Sequence, residues 1–338
     1  MKMDQSDNGL QSKRKKGFGQ TLANIFVPAK GDSPRQRMSK IIAIVAAVLV
    51  IAALVVGGML IHKYVSKDQE LKKVQEQYTS SNPASDTASG EEDTGSSEPE
   101  LDPETGVIPE FNQLYETNSD VRGYIKIEGT KLDMPVVQGT DNAYYLDHTM
   151  EKKQNPFGIP FVDYRATFAP NYQSTNITIY GHSAADGSFF APVKQYKDFE
   201  FYKEHPVVQF DTIYGKGQYK VIGLMMVNTD ITNMDVFNFH DYVDMTESQF
   251  KYYIDNVMKR TYFNTGVDVK FGDQLLTLST CDTEVINSNT TPYRMALVAR
   301  KVRSGESAEV DVTKAAINKS VEMPEGWVKK TGKKTPFN

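Results

Sequence analysis

The chain of 338 residues carries 38 Lys and Arg against 43 Asp and Glu, a formal net charge of −5, and a single cysteine. One cysteine excludes an intramolecular disulfide and a cysteine-rich metal site. The charge is the sum of a basic N-terminal tail and an acidic remainder, which gives no signal for nucleic-acid binding.

Residues 1–40 read as a cytoplasmic basic tail, in which Lys13, Arg14, Lys15 and Lys16 suit anionic lipid headgroups. Ile41 to Ile61 is an unbroken apolar run. As a helix it spans about 31 Å, against a hydrocarbon core of about 30 Å. It has no polar face for a core helix, and neither the long segment before it nor the sequence after it fits a cleaved signal peptide. The run is therefore predicted to be an uncleaved transmembrane anchor. Lys30, Arg35, Arg37 and Lys40 add to the basic cluster before it, whereas Lys63, Lys67, Lys72 and Lys73 follow it ahead of an acidic tract. That excess predicts a cytoplasmic N-terminus and an extracellular C-terminal bulk.

Residues 62–106 read as an extracellular stalk and acidic flexible linker. Leu71, Val74 and Tyr78 permit a short helical stalk from Lys63 to Tyr78. Thr79 to Thr105, rich in Ser, Glu, Asp, Gly and Pro, has almost nothing to bury and cannot offset its ordering entropy.

A globular domain is predicted over 107–303. It opens with a short helix, where Phe111, Leu114 and Tyr115 share a face. About eight short β-type runs follow, arguing for an antiparallel barrel or sandwich. One segment departs from this pattern: Thr246 caps a predicted helix reaching about Arg260, with Phe250, Tyr253, Ile254 and Val257 on one face. Residues 304–338 are polar, basic towards their end, and read as a loosely ordered appendage without an assigned role.

The chemistry concentrates at two strand ends. Leu275 to Thr280 is apolar and β-favouring, and it ends on Cys281, which is either an inert thiol or a nucleophile. A free thiol is only a few per cent thiolate at neutral pH, so a nucleophile needs a basic or cationic neighbour. Asn176-Ile-Thr-Ile-Tyr-Gly-His182 offers one, with Gly181 expected to let the backbone turn sharply before His182. Arg294 opens the next predicted strand, and a connection of this length can return it antiparallel beside Cys281 to stabilise an oxyanion. Period-2 alternation puts Ser279 with Cys281 on one face and Thr280 on the other. Ser279, Thr280 and Asp282 are candidate substrate-binding residues, Asp282 as an acceptor of substrate amide hydrogen bonds.

This combination resembles the sortases, and class B sortases in particular. Thr277-Leu-Ser-Thr-Cys281 matches the Thr-Leu-x-Thr-Cys signature, Tyr180-Gly-His182 the histidine motif and Arg294 the arginine of the final strand. Asn118 to Thr130, Pro135-Val-Val-Gln138, Asp141 to Leu146 and Phe237 to Tyr242 are similar to class B segments, and so is the helix before the cysteine strand. The resemblance implies a mainly β fold: a closed eight-stranded barrel with N-terminal helices and an extra helix before the cysteine strand. It implies a cysteine transpeptidase with Cys281 as nucleophile, His182 as general acid and base, and Arg294 on the substrate. Its partners would be secreted proteins bearing a C-terminal sorting signal and an amine acceptor from peptidoglycan or, alternatively, a pilin lysine. No cofactor is implied, and no dense acidic loop suggests a metal site. A silent membrane-tethered scaffold is the rival from another class. A papain-like protease is disfavoured, because there the cysteine precedes the histidine and starts a helix.

Overall fold

Ser33 and Gln36 bond each other's backbone N–H groups, and Pro34 follows in the first helical position; this is a capping box that starts a long helix. The computed structural model describes residues 27–81, 100–230, 232, 236–287 and 291–337. The Lys13–Lys16 cluster and the centre of the acidic tract lie outside the described residues. Contacts divide the chain into two units, at Gln69/Glu70. Helix α1, Pro34–Ser81, runs unbroken through the expected anchor and stalk, because no proline interrupts it and its two interior glycines are tolerated. Between Ile41 and Ile61 its large apolar side chains are exposed, Leu54 at 70%. Among the described residues it is the one helix long and apolar enough to cross a membrane, by length and composition.

The last turns of α1 belong to the second unit. Val74 and Tyr78 are buried, the Tyr78 ring stacks on Tyr124 at 3.8 Å, and its hydroxyl donates to Asp211 at 2.6 Å. Burial raises the Asp211 carboxyl above its usual pKa, and the Tyr78, Gly217 and Gln209 donors partly offset this. The stalk's last turns, from Glu70, are thus part of the second unit. A fragment beginning at Glu70 is expected to keep the stability of the second unit. One beginning at Thr79 removes one of the three named donors to buried Asp211 and opens a cavity where Val74 and Tyr78 pack, at a cost of roughly 2–4 kcal/mol. Equal urea midpoints for the two fragments would count against this packing.

After the short helix α2, Asn112–Thr117, come β1, Val121–Lys126; β2, Asp133–Val137; and β3, Phe161–Val162. A small hairpin of β4, Phe168–Ala169, and β5, Tyr172–Gln173, precedes β6, Asn176–Tyr180. Helices α3, Ala191–Gln195, and α4, Phe199–Glu204, lead to β7, Val207–Thr212, and β8, Gln218–Asn228. Helix α5, Glu247–Arg260, and β9, Phe263–Asn264, precede β10, Leu275–Cys281, and β11, Tyr293–Lys301. Eight strands close a barrel in the order β1-β2-β3-β6-β10-β11-β8-β7. The expectation of a closed eight-stranded barrel holds. The narrower expectation of a purely antiparallel one does not, since β2 with β3 and β6 with β10 pair in parallel.

Alternation explains why β8, β10 and β11 are buried on both faces. Leu224, Met226, Leu276, Leu278, Met295 and Leu297 fill the barrel. Their neighbours Met225, Leu275, Ala296 and Val298 meet Phe250, Tyr253 and Val257 of α5 outside it, and Ile222 joins them because a register shift between β8 and β11 breaks the alternation there. The expected helix forms with Thr246 and Gln249 as a capping box. Tyr253 donates to Thr277 Oγ1, which passes its own proton to Asn176 Oδ1, both at 2.9 Å, tying α5 to the two strands that carry the chemistry.

Residues 304–337 are not loosely ordered. Strand β12, Ala316–Ile317, pairs with β9, and helix α6, Glu325–Thr331, buries Trp327 against the core. Val321, Met323, Trp327, Val328 and Phe337 join the barrel cluster. Their wide spacing among polar residues hides them from composition.

Candidate active site

Parallel pairing of β6 with β10 sends both strands' C-terminal ends to one rim of the barrel. Ser279 lies opposite Tyr180, and the Gly181 N–H extends the ladder to the Ser279 carbonyl at 3.1 Å. His182 therefore emerges beside the end of β10. Antiparallel pairing then sets Arg294 directly opposite Cys281, with Cβ atoms about 5 Å apart in such pairs. Three residues far apart in sequence reach one place through strand register.

Gly181 serves this rim differently than expected. Its backbone is not left-handed; instead a Cβ there would stand 2.6 Å from the Phe190 ring. Close packing, rather than a sharp turn, demands glycine. Phe190 N in turn donates to the His182 carbonyl at 2.9 Å and fixes the histidine backbone.

A cleft of about 290 Å³ opens at the rim and is lined by His182, Ser279, Thr280, Cys281 and Arg294. Leu146, Phe161 and Phe239 give it apolar walls; Asn142, Tyr180, Thr229 and His240 add polar groups. The Cys281 thiol is free and part-exposed. His182 Nε2 lies 2.9 Å from the Leu146 carbonyl, and a carbonyl only accepts, so Nε2 carries a proton here. The Arg294 guanidinium donates to the carbonyls of Thr291 and Tyr293. Ser279 Oγ and Thr280 Oγ1 are buried with no hydrogen-bond partner among the described residues. Leaving each bond unmade costs about 1–3 kcal/mol.

Asp282 is the one candidate that does not face the cleft. It is 1% exposed, and its carboxylate takes Lys197 Nζ at 2.7 Å and the Glu284 N–H at 2.8 Å. Its backbone N–H donates to the Tyr293 carbonyl at 2.9 Å. The expected contact with substrate amides is therefore corrected to a structural bond under the nucleophile. Lys197 also compensates the negative charge beside the thiol.

Several groups escaped the sequence reading. Burial pushes the Lys194 ammonium below its usual pKa, while Asp282 and, more weakly, Cys281 pull it back. Behind the cleft, Asp163 accepts Tyr180 Oη at 2.9 Å, Asn142 Nδ2 at 3.1 Å and Arg165 Nη2 at 2.8 Å. Burial alone would raise the Asp163 carboxyl, yet Arg165 and the Tyr180 hydroxyl hold it below its usual range. Arg165 continues to the His240 carbonyl at 2.7 Å, so one ion pair seats three wall residues. Burial lowers the His240 pKa against the pull of Asp241, keeping that wall uncharged near neutrality. Asp163 and Arg165 stand two apart in an unremarkable loop, and only the fold reveals what they hold.

The sortase domain family matches residues 125–302. Sortase B of Staphylococcus aureus (strain NCTC 8325 / PS 47) is 28% identical over 272 residues, 79% of this chain and 99% of that protein. Sortase B of Listeria monocytogenes serovar 1/2a (strain ATCC BAA-679 / EGD-e) is 31% identical over 178 residues, 53% of this chain and 69% of that protein. Among solved structures, a Staphylococcus aureus sortase B–substrate complex superposes with a TM-score of 0.56 at 26% identity, over 72% of this chain and 99% of that one. The matched domain takes in His182, Cys281 and Arg294, and the chain belongs to the sortase family, as a class B member and a cysteine transpeptidase.

Proposed function

We propose that the protein cleaves a C-terminal sorting motif of secreted proteins through an acyl-thioester on Cys281 and transfers the acyl group to a cell-wall amine. The meeting of thiol, imidazole and guanidinium at one barrel rim carries this reading. The Cys281 thiolate attacks the scissile carbonyl, forming a C–S bond and an oxyanion. Arg294 leaves the carbonyls of Thr291 and Tyr293 to donate to that oxygen. His182 gives its proton to the leaving amine as the C–N bond breaks. In the second half an incoming amine attacks the thioester and gives its proton to His182. A new C–N bond forms, and the thiolate departs. One amide replaces another, so no external energy source is needed.

Ser279 Oγ and Thr280 Oγ1 bind the substrate, and their lack of protein partners supports that role. Residues 41–61 anchor the enzyme in membrane lipid with the N-terminus cytoplasmic and the catalytic domain outside. The basic excess before the helix and its exposed apolar side chains support this orientation. The test is intact-mass spectrometry of the enzyme with a library of candidate sorting peptides, followed by oligoglycine, a lysine side-chain amine or water. The expected result is an adduct on Cys281 that an amine of cell-wall type discharges into an amide product. An enzyme that acylates with no peptide, or discharges only to water, overturns the proposal.

A further inference from the structure

The family match ends at residue 302, and residues 304–337 have so far had no part in the reaction. Their path leads back to the link that joins Cys281 to Arg294. Strand β12 pairs with β9, and Asn318 N–H extends that pairing to the Tyr262 carbonyl at 2.9 Å. Helix α6 is then anchored by Trp327, which is 5% exposed in the barrel cluster.

From this anchor α6 holds the link in three ways. Trp327 Nε1 donates to Glu284 Oε2 at 3.3 Å. Lys330 Nζ donates to the Val285 carbonyl at 3.1 Å. Gly326 lies under Tyr293, where a Cβ would stand 1.9 Å from the phenol oxygen and 3.5 Å from Val285 Cγ1.

The held atoms connect directly to the reacting ones. Glu284 shares Lys197 with Asp282, at 2.5 and 2.7 Å, and Asp282 follows the nucleophile. Tyr293 precedes Arg294, and its carbonyl accepts both the Asp282 N–H and the Arg294 guanidinium. A displacement of Glu284 or Tyr293 is therefore a displacement of the two ends of the catalytic pair relative to each other. Misplacement by about 1 Å at such a pair costs on the order of 10²-fold in rate.

We infer that the C-terminal segment is a strap that sets the nucleophile–arginine geometry, with Trp327 as a positioning residue acting through Glu284 and with Gly326 providing the seat for Tyr293. The inference rests on the roles proposed for Cys281 and Arg294. It adds a requirement that the barrel alone does not meet, because the link is fastened between its two ends by residues outside the matched domain.

The test uses the full-length enzyme with Gly326→Ala and Trp327→Phe. The second keeps an aromatic ring in the core while it removes the N–H and part of the indole's volume, so it perturbs packing less than loss of the whole side chain. Two readouts are taken: hydrogen exchange of the amides of residues 282–287, and kcat per folded enzyme, with the folded fraction read from urea unfolding. Gly326→Ala is expected to speed exchange in the link and to lower kcat per folded enzyme about tenfold or more, with KM for peptide little changed; Trp327→Phe is expected to fall between it and the wild type. A segment that merely plugs the core would lower the folded fraction in step with stability and leave kcat per folded enzyme intact, which overturns the inference. Unchanged exchange in both variants also overturns it. A wild-type enzyme that forms no acyl-enzyme refutes the proposed function instead, and exchange in the link still decides whether the strap holds it.

Discussion

Cys281→Ala is expected to yield no acyl-enzyme and to lower turnover of a sorting peptide by at least about 10⁴-fold, the scale on which loss of a nucleophile acts in covalent catalysis. Folding should be unaffected. The side chain ends a strand at a cleft and is part-exposed, and substitutions at such places shift stability within about 0.5 kcal/mol. Cys281→Ser is the sharper variant. A serine hydroxyl ionises far less readily than a thiol and needs a base bonded to it. His182 Nε2 instead keeps its proton on the Leu146 carbonyl, so the imidazole is not set to activate a hydroxyl at position 281. The serine variant should bind peptide and stay inactive, trapping the complex before acylation. Turnover above about 1% of wild type in the alanine variant, measured with single-turnover peptide cleavage, would remove Cys281 from the mechanism.

What the sequence disclosed and what it withheld follow from the range of the interactions concerned. The strand ends at Cys281 and Tyr180, the capped helix after Thr246 and the family signature are local patterns, and all are found as read. The parallel pairing of β6 with β10 is not local. A strand's own residues report its period and burial, not its neighbour, so an antiparallel barrel was the natural guess from eight short runs. Asp282 was misjudged for the same reason. Beside a nucleophile a carboxylate invites a substrate role, and nothing near it in sequence announces Lys197, 85 residues earlier. Gly181 suggested a turn, but Phe190 is what forbids a side chain there. The tail looked disordered because its anchors are few and widely spaced among polar residues. Ser279 and Thr280, chosen for their place beside the thiol, line the cleft, and their hydroxyls have no hydrogen-bond partner among the described residues.

Arg294→Ala is expected to lower kcat by roughly 10²–10³-fold with the fold intact, the usual effect of removing one oxyanion donor. Among the described residues its guanidinium donates to the carbonyls of Thr291 and Tyr293, which water can satisfy at a cleft, so little stability is at stake. Arg294→Lys should recover only a small part of the loss, since an ammonium lacks the planar fork that reaches an oxygen while holding a neighbour. Arg300, at the other end of β11, supplies the contrast. It lies opposite Leu275 as Arg294 lies opposite Cys281. It is 1% exposed and donates to Glu306 and to the Asp268 carbonyl. Arg300→Ala should therefore destabilise the domain by about 3 kcal/mol, as breaking a buried pair does, while kcat per folded enzyme stays near wild type. The two effects also separate with pH. Arg300, and then Lys220, hold the Glu306 carboxyl well below its ordinary value of 4.5. A depressed folded-state pKa contributes stability in full above that ordinary value and loses it as pH falls further. The stability gap between wild type and Arg300→Ala should thus be widest near neutrality and narrow in acid, read from urea midpoints across pH. The activity deficit of Arg294→Ala should not follow that titration. If Arg300→Ala instead silences a folded enzyme while Arg294→Ala stays active, the arginine assignment is reversed, and the register that sets Arg294 against Cys281 no longer explains catalysis.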